Sequence, residues 1–223
     1  MQINISSEFH NICPQFVGGA IIAEVTNTPT SQELWNEIER IATKLKQNYT
    51  TDSIKEQSGI AATREAYRKA GKDPSRYRPA CEQLARRILQ GKSLYSIDQL
   101  VDLGNLISLY CGYSTAMLDA DKISGQNLTL GIGTGNEDYE GIGRGKLNIE
   151  YLPVYRDEQG GIATPTSDSV RTMISANTKR ILLLINGYDG DLEKINEVLE
   201  YANKTLISFA NAQKPLEIWT YRY

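Results

Sequence analysis

Histidine occurs once in this chain, at His10, and that scarcity removes more chemistry than any other feature of the sequence. Zinc sites built on several imidazoles are excluded, and a triad based on histidine would have to draw on a single residue near the start. Cysteine is nearly as sparse. Cys13, Cys81 and Cys111 lie far apart and form no Cys-x-x-Cys pair, so their spacing suits neither a metal site nor a disulfide framework. They read as buried hydrophobes, and no metal or cofactor is expected. No segment approaches the roughly 20 consecutive apolar residues that cross a bilayer, and residues 1–6 carry no basic run ahead of an apolar stretch. The expectation is a soluble, cytoplasmic chain with no membrane partner and neither a secretory signal nor a transit peptide. An excess of positive charge is also lacking, with 24 Lys and Arg against 27 Asp and Glu. A formal net charge of -3 argues against a protein that grips DNA through its overall field, so that any RNA contact must be local.

What is present fits one globular domain spanning residues 1–223, with 40% hydrophobic and 23% charged residues and no internal repeat or low-complexity tract. The pattern changes character once, near Gly112. Before it, a short apolar run at 2–5 and a near-continuous one at 17–25 read as strands, the second buried. Thr30 or Ser31 can cap a helix carrying Leu34, Ile38, Ile41 and Leu45 at helical spacing. Further helices are predicted over 53–70, stopped by Gly71 and Pro74, after Pro79 with Glu82 and Arg86 one turn apart, and over 97–110. The last of these is apolar nearly all round and therefore buried. After Gly112, extended segments are predicted at 127–132, 147–149, 152–155 and 180–185, separated by glycines, and together they suggest an antiparallel sandwich-like or barrel-like sheet. An amphipathic helix follows the Asp189-Gly190-Asp191 turn, and Pro215 opens a last strand over 216–221.

Four constellations could carry chemistry. On the apolar helix, Asp98, Asp102 and Asn105 fall at i, i+4 and i+7 and form one polar stripe, either a solvent-facing edge with structural caps or the lining of a cleft. In Leu118-Asp119-Ala120-Asp121-Lys122, alternation places Asp119 and Asp121 on one face, as a pair able to bind a cation or tune a pKa, or as turn caps. The runs Gly131-Ile132-Gly133-Thr134-Gly135 and Gly141-Ile142-Gly143-Arg144-Gly145 open no amphipathic helix, fail as dinucleotide fingerprints, and read as hairpin turns with Glu137 exposed between them. Asp168-Ser169-Val170-Arg171-Thr172 combines an acid, hydroxyls and a planar cation; Asp168 or Ser169 can cap a turn, and Arg171 suits a carboxylate or phosphate.

Taken in order, these pieces resemble a known family. Residues 64–74 and 76–91, beginning Arg64-Glu65-Ala66-Tyr67-Arg68 and Arg76-Tyr77-Arg78-Pro79, are similar to freestanding B3/B4 relatives of the editing domain in the phenylalanyl-tRNA synthetase beta chain. Asp98 to Asn105 on the apolar helix, the aspartate-lysine turn at 118–125, and Asp168-Ser169-Val170-Arg171-Thr172 with Thr178 resemble later elements of the same family. The resemblance is strongest over 64–178. It implies an α+β fold, a β-sandwich-like core of mostly antiparallel strands flanked by helices, with a cleft between sheet and helices that in the synthetase hydrolyses tyrosine wrongly attached to the phenylalanine tRNA. It implies an aminoacyl-tRNA deacylase acting in trans, not a ligase. Asn105 and Asp119 are the catalytic candidates and Arg171, Asp102 and Asp168 the substrate-binding candidates. The expected ligand is an aminoacyl-tRNA 3′ end or a small amino-acid-like molecule, and hydrolysis needs only a positioned water and oxyanion donors. Two departures stand out: Ala116 occupies the place of a histidine found in the bacterial synthetase, and Ala163-Thr164-Pro165-Thr166 replaces a tryptophan-containing stretch of freestanding relatives. The alternatives are a non-catalytic module binding an amino acid, nucleotide or tRNA end, and a metabolic enzyme on the same fold. The oligomeric state is open.

Overall fold

The computed structural model describes residues 1–213 and 216–223. Strand β1 (Gln2–Ile5) and a short helix α1 (Ser7–Ile12) precede β2 (Val17–Glu24). Four helices follow: α2 (Gln32–Asn48), α3 (Ser58–Ala70), α4 (Ala80–Leu89) and α5 (Gln99–Cys111). Then come β3 (Thr115–Asp119), β4 (Asn127–Ile132), the small hairpin β5 (Glu140–Gly141) and β6 (Gly145–Lys146), β7 (Pro153–Asp157), β8 (Gly160–Ala163) and β9 (Arg180–Gly187). Helix α6 (Leu192–Ala210) and β10 (Glu217–Tyr221) close the chain.

Two four-stranded sheets are ordered β1-β4-β7-β8 and β10-β2-β9-β3; among the described residues only the β1–β4 pairing is parallel. The second sheet is buried on both faces, which is why its central strands read as unbroken apolar runs. Alternation divides them: Ile21, Ala23, Leu183 and Ile185 pack under helices α2, α4, α5 and α6, whereas Ala20, Ile22, Leu182 and Leu184 meet Leu128, Leu130, Ile132 and Tyr155 of the first sheet. The architecture is thus a helical layer, a shared sheet and an outer sheet. Glycines permit the closest approaches. A Cβ on Gly19 would stand 3.1 Å from Leu199 of α6, and one on Gly18 would collide with the Tyr221 ring. That ring lies over β2, and its hydroxyl meets the Tyr155 hydroxyl at 2.6 Å.

Sequence-level expectations hold for α2, capped by Ser31, for α4, β2, β9 and α6, and for α5, whose N-cap is Asp98. The helix expected over 53–70 begins as a 3-10 turn, Ile54–Glu56, before α3 ends at Gly71 with φ +97°. Residues 147–149 are not a strand, and the first glycine run ends β4 rather than forming a tight hairpin, whereas the second does form one. Glu137 is half-buried and paired with Arg156 at 2.6 Å. The strand predicted to open at Pro215 is seen from Glu217, Pro215 itself lying outside the described residues.

Candidate functional site

Helices α4 and α5 do not close completely over the edge strand β3. Between them, β3, the β5–β6 hairpin and the loop leading to β9 lies a cleft of about 240 Å³. Its walls are mostly apolar: Ala80 and Leu84 from α4, Ile97 and Val101 at the start of α5, Met117 from β3, Ile142 from the hairpin, and Met173 and Ile174 from the loop. Gly104 leaves the α5 wall flat there, with an added Cβ only 3.4 Å from Met117.

Five polar side chains reach this cleft: Asp98, Asn105, Ser108, Thr115 and Asp168. Three are already engaged. Asp98 accepts the Val101 N–H at 2.9 Å as the cap of α5, Ser108 donates to the Tyr113 carbonyl at 2.8 Å, and Thr115 donates to the Gly104 carbonyl at 3.2 Å. The side chains of Asn105 and Asp168 make no hydrogen bond to another described residue. The Asp168 backbone is fixed all the same, because its carbonyl accepts the Ile142 N–H at 2.9 Å and ties the loop to the hairpin. Protein surrounds the Asp168 carboxyl while the cleft admits solvent to it, and burial pushes its pKa well above the ordinary carboxylate range. An unpaired amide and an unpaired acid of raised pKa therefore face one apolar chamber, the combination that orients a small ligand.

The convergence of Asn105, Asp119 and Arg171 expected from the sequence does not occur. Asn105 is in the cleft, and so is Asp168. Asp119 ends β3 with its carboxylate accepting from the Thr178 hydroxyl at 2.7 Å and pairing with Lys122 at 3.4 Å. It is not a cleft-lining residue. The strand stops there because residues Ala120–Lys122 turn into a 3-10 helix capped by Asp119, so strand alternation never carries on to Asp121. Arg171 forms a bidentate pair with Asp157 at 2.7 and 2.9 Å and donates to the Gly160 carbonyl, leaving its fork occupied. Burial alone would raise Asp157, but Arg171 and the Ser124 and Gln159 N–H groups outweigh it and hold the carboxyl below its usual range. Asp102 is buried behind the helix, accepting from Thr30 Oγ1 at 2.6 Å, Ser96 Oγ at 3.1 Å and the Ile97 N–H. These contacts make it an anchor for the loop that enters α5, and it does not line the cleft.

Ala116 sits on the other face of β3 from the cleft, packed between the two sheets, while Thr115 and Met117 face the chamber. His10 stacks on Tyr223 at 4.0 Å and contributes nothing to the cleft. The cysteines are buried, and burial pushes the Cys81 and Cys111 thiols up to about 12. Among the described residues, no group of acids, histidines and cysteines could hold a metal ion, and no helix is long and apolar enough to cross a membrane. A second hollow of about 570 Å³ opens near Glu24, Asp121, Asn177 and Lys179. Its polar, open rim lacks the apolar walls of the cleft. Sequence reasoning missed the cleft walls Leu84, Met117 and Met173, whose apolar character alone does not distinguish a cavity wall from core.

The family model described as B3/4 domain matches residues 62–215. No curated protein matches. Among solved structures, the chain is similar to an N-terminal fragment of the phenylalanyl-tRNA synthetase beta-subunit from Pyrococcus horikoshii, with a TM-score of 0.51 and 11% identity. That match covers 96% of this chain and 50% of the fragment, so the chain corresponds to about half of its length. Identity this low carries the fold alone.

Proposed function

The chain belongs to the B3/4 domain family, and on that footing we propose that its cleft receives the aminoacyl end of an RNA and hydrolyses the ester in trans. The observation that carries this reading is the pairing of Asn105 and Asp168, two polar side chains without protein partners in an apolar chamber of about 240 Å³. The chamber suits one amino-acid side chain. Larger drug-like ligands generally occupy roughly 300 to 1,000 Å³.

In the proposed reaction a water held by Asp168 attacks the ester carbonyl. The carboxylate takes the water's proton as the carbon–oxygen bond forms, and the raised pKa of Asp168 makes it a stronger base than an ordinary aspartate. Asn105 donates through its amide to the oxygen that gains charge, a role in which one lost donor typically costs about 100- to 1,000-fold in rate. Collapse breaks the bond to the RNA oxygen, which leaves as a hydroxyl carrying the proton that Asp168 took from the water. Asp119, Arg171 and Asp102 act through the scaffold in this proposal, since each is engaged by other residues. The test is release of amino acid from mischarged and correctly charged tRNA by the purified chain, alone and with Asn105→Ala or Asp168→Asn. Release faster than buffer, lost in both variants, supports the reading; no acceleration with any charged tRNA removes it.

One observation favours a second reading, a binding module without turnover: the cleft contains no imidazole, thiol or lysine among its lining residues. An amino acid or an aminoacyl-adenosine amide that raises the melting temperature while no ester is hydrolysed would select it. Saturation at about 100 times the dissociation constant stabilises by about 2.7 kcal/mol.

A further inference from the structure

The acidic balance of the whole chain hides a local reversal. Residues 64–92 carry nine Lys and Arg against three Asp and Glu, and two of the nine, Arg86 and Arg87, lie on α4. Its single acid, Glu82, is fully buried and already accepts from Arg64 at 2.9 Å and Arg86 at 2.8 Å, with Arg78 Nε 3.5 Å away. One carboxylate thus stands among three guanidiniums, and Arg78 Nε, itself buried, has no hydrogen-bond partner.

The side of α4 next to the cleft is the informative one. Ala80, Gln83, Leu84 and Arg87 recur at i, i+3, i+4 and i+7 and so share a face, of which Ala80 and Leu84 are cleft walls. Arg87 continues that face and donates to the Ser93 carbonyl at 2.7 Å, while Gln83 accepts from Arg144 of the β5–β6 hairpin. Neither Arg87 nor Arg144 pairs with a carboxylate of the described residues. Neither lines the cleft itself, but both adjoin its walls: Arg144 is two positions from Ile142 and bonded to Gln83, next to Leu84, and Arg87 is three positions beyond Leu84 and lies over Tyr95, two positions from Ile97. Tyr95 is 69% exposed, with the Arg87 guanidinium 4.0 Å from its ring centre. An aromatic ring so open beside an arginine with no carboxylate partner matches a stacking platform next to a phosphate contact.

We propose that Arg87, Arg144 and Tyr95 form a docking ridge for single-stranded RNA whose last residue enters the cleft. The two guanidiniums contact phosphates near the end of the strand and the Tyr95 ring stacks on a base. The proposal rests on the reading that the cleft takes the acylated end, yet it concerns how the strand is held. The acidic interior and cationic rim then divide the ligand, the amino acid facing Asp168 and the backbone facing the arginines.

The test measures binding of uncharged, fluorescently labelled RNA of roughly 10 nucleotides, within the site sizes of single-strand binders, to the full chain by anisotropy. Titrations run from about 50 to about 200 mM salt, and each phosphate contact in a single strand contributes about 0.7 to the logarithmic salt slope. The double variant Arg87→Gln/Arg144→Gln is expected to bind about tenfold or more weakly with a slope smaller by about 1.4. Tyr95→Ala is expected to weaken binding with the slope unchanged. Circular dichroism melting confirms that each variant folds. No RNA binding by the parent, binding only to anionic vesicles, or a double variant that matches the parent in affinity and slope would overturn the ridge. RNA binding by a parent chain that hydrolyses no aminoacyl ester would instead overturn the hydrolytic reading and leave the ridge standing.

Discussion

At the residue scale the cleft separates groups that hold the fold from groups left without partners. Asp168 is the sharpest case, because its folded pKa lies above the value of an unfolded aspartate, about 3.9. Between these two values folded Asp168 binds more protons than unfolded Asp168, so its contribution to stability falls as pH rises through that window and is fully present below it. Asp168→Asn removes the titration with little change in shape. The variant is expected to match the parent in chemical denaturation near pH 4 and to exceed it at pH 8, and an unchanged difference across that range would refute the burial of the charge. Arg171 predicts the opposite. Its fork closes on a fully buried Asp157 side chain, and Arg171→Ala strands that acid, at a cost of about 3 kcal/mol. A denaturation midpoint equal to the parent's would mean that the guanidinium is free for a ligand after all.

At the element scale, α5 combines two tasks. Its apolar sides bury Leu100, Leu103, Leu106 and Ile107 under the sheet, and its remaining side presents Gly104 and Asn105 to the cleft. A mid-helix glycine costs about 0.5 to 1 kcal/mol relative to alanine, and Gly104 is open to an added methyl at ordinary contact distance from Met117. Gly104→Ala is therefore expected to stabilise the chain by about that much while narrowing the cleft and weakening the binding of an amino acid. Stability gained with ligand binding unchanged would show that this wall faces no ligand. The polar stripe on this helix was legible from the i, i+4, i+7 spacing, but its division was not. Asp102 is held by Ser96 of the loop just before the helix and by Thr30, 72 positions away, which only tertiary structure brings to it. Alternation likewise failed at Asp121, because the side chain of Asp119 caps a 3-10 turn and ends the strand two residues early.

At the scale of the whole molecule, the sandwich and its helical cover follow from patterns strong enough to read directly. The runs of β2 and β9 are apolar on both faces, and the stripes of α2 and α6 are long and periodic. What the sequence could not place is the meeting of distant segments. Asp168 and Asn105 share one chamber only because the β5–β6 hairpin fixes the loop of Asp168 against the end of the helical layer. Arg171, three residues further on, is drawn instead to Asp157 on β7. Of the side chains singled out by motif order, Asn105 and Asp168 line this cleft, while Asp119 and Arg171 are engaged elsewhere. A crystal structure of the chain with a non-hydrolysable aminoacyl-adenosine amide tests whether this chamber is the functional one. The amino-acid moiety should lie between α4, α5 and β3, within hydrogen-bonding distance of Asn105 and Asp168; a ligand seated at Glu24 and Lys179, or touching neither of those two side chains, would contradict it.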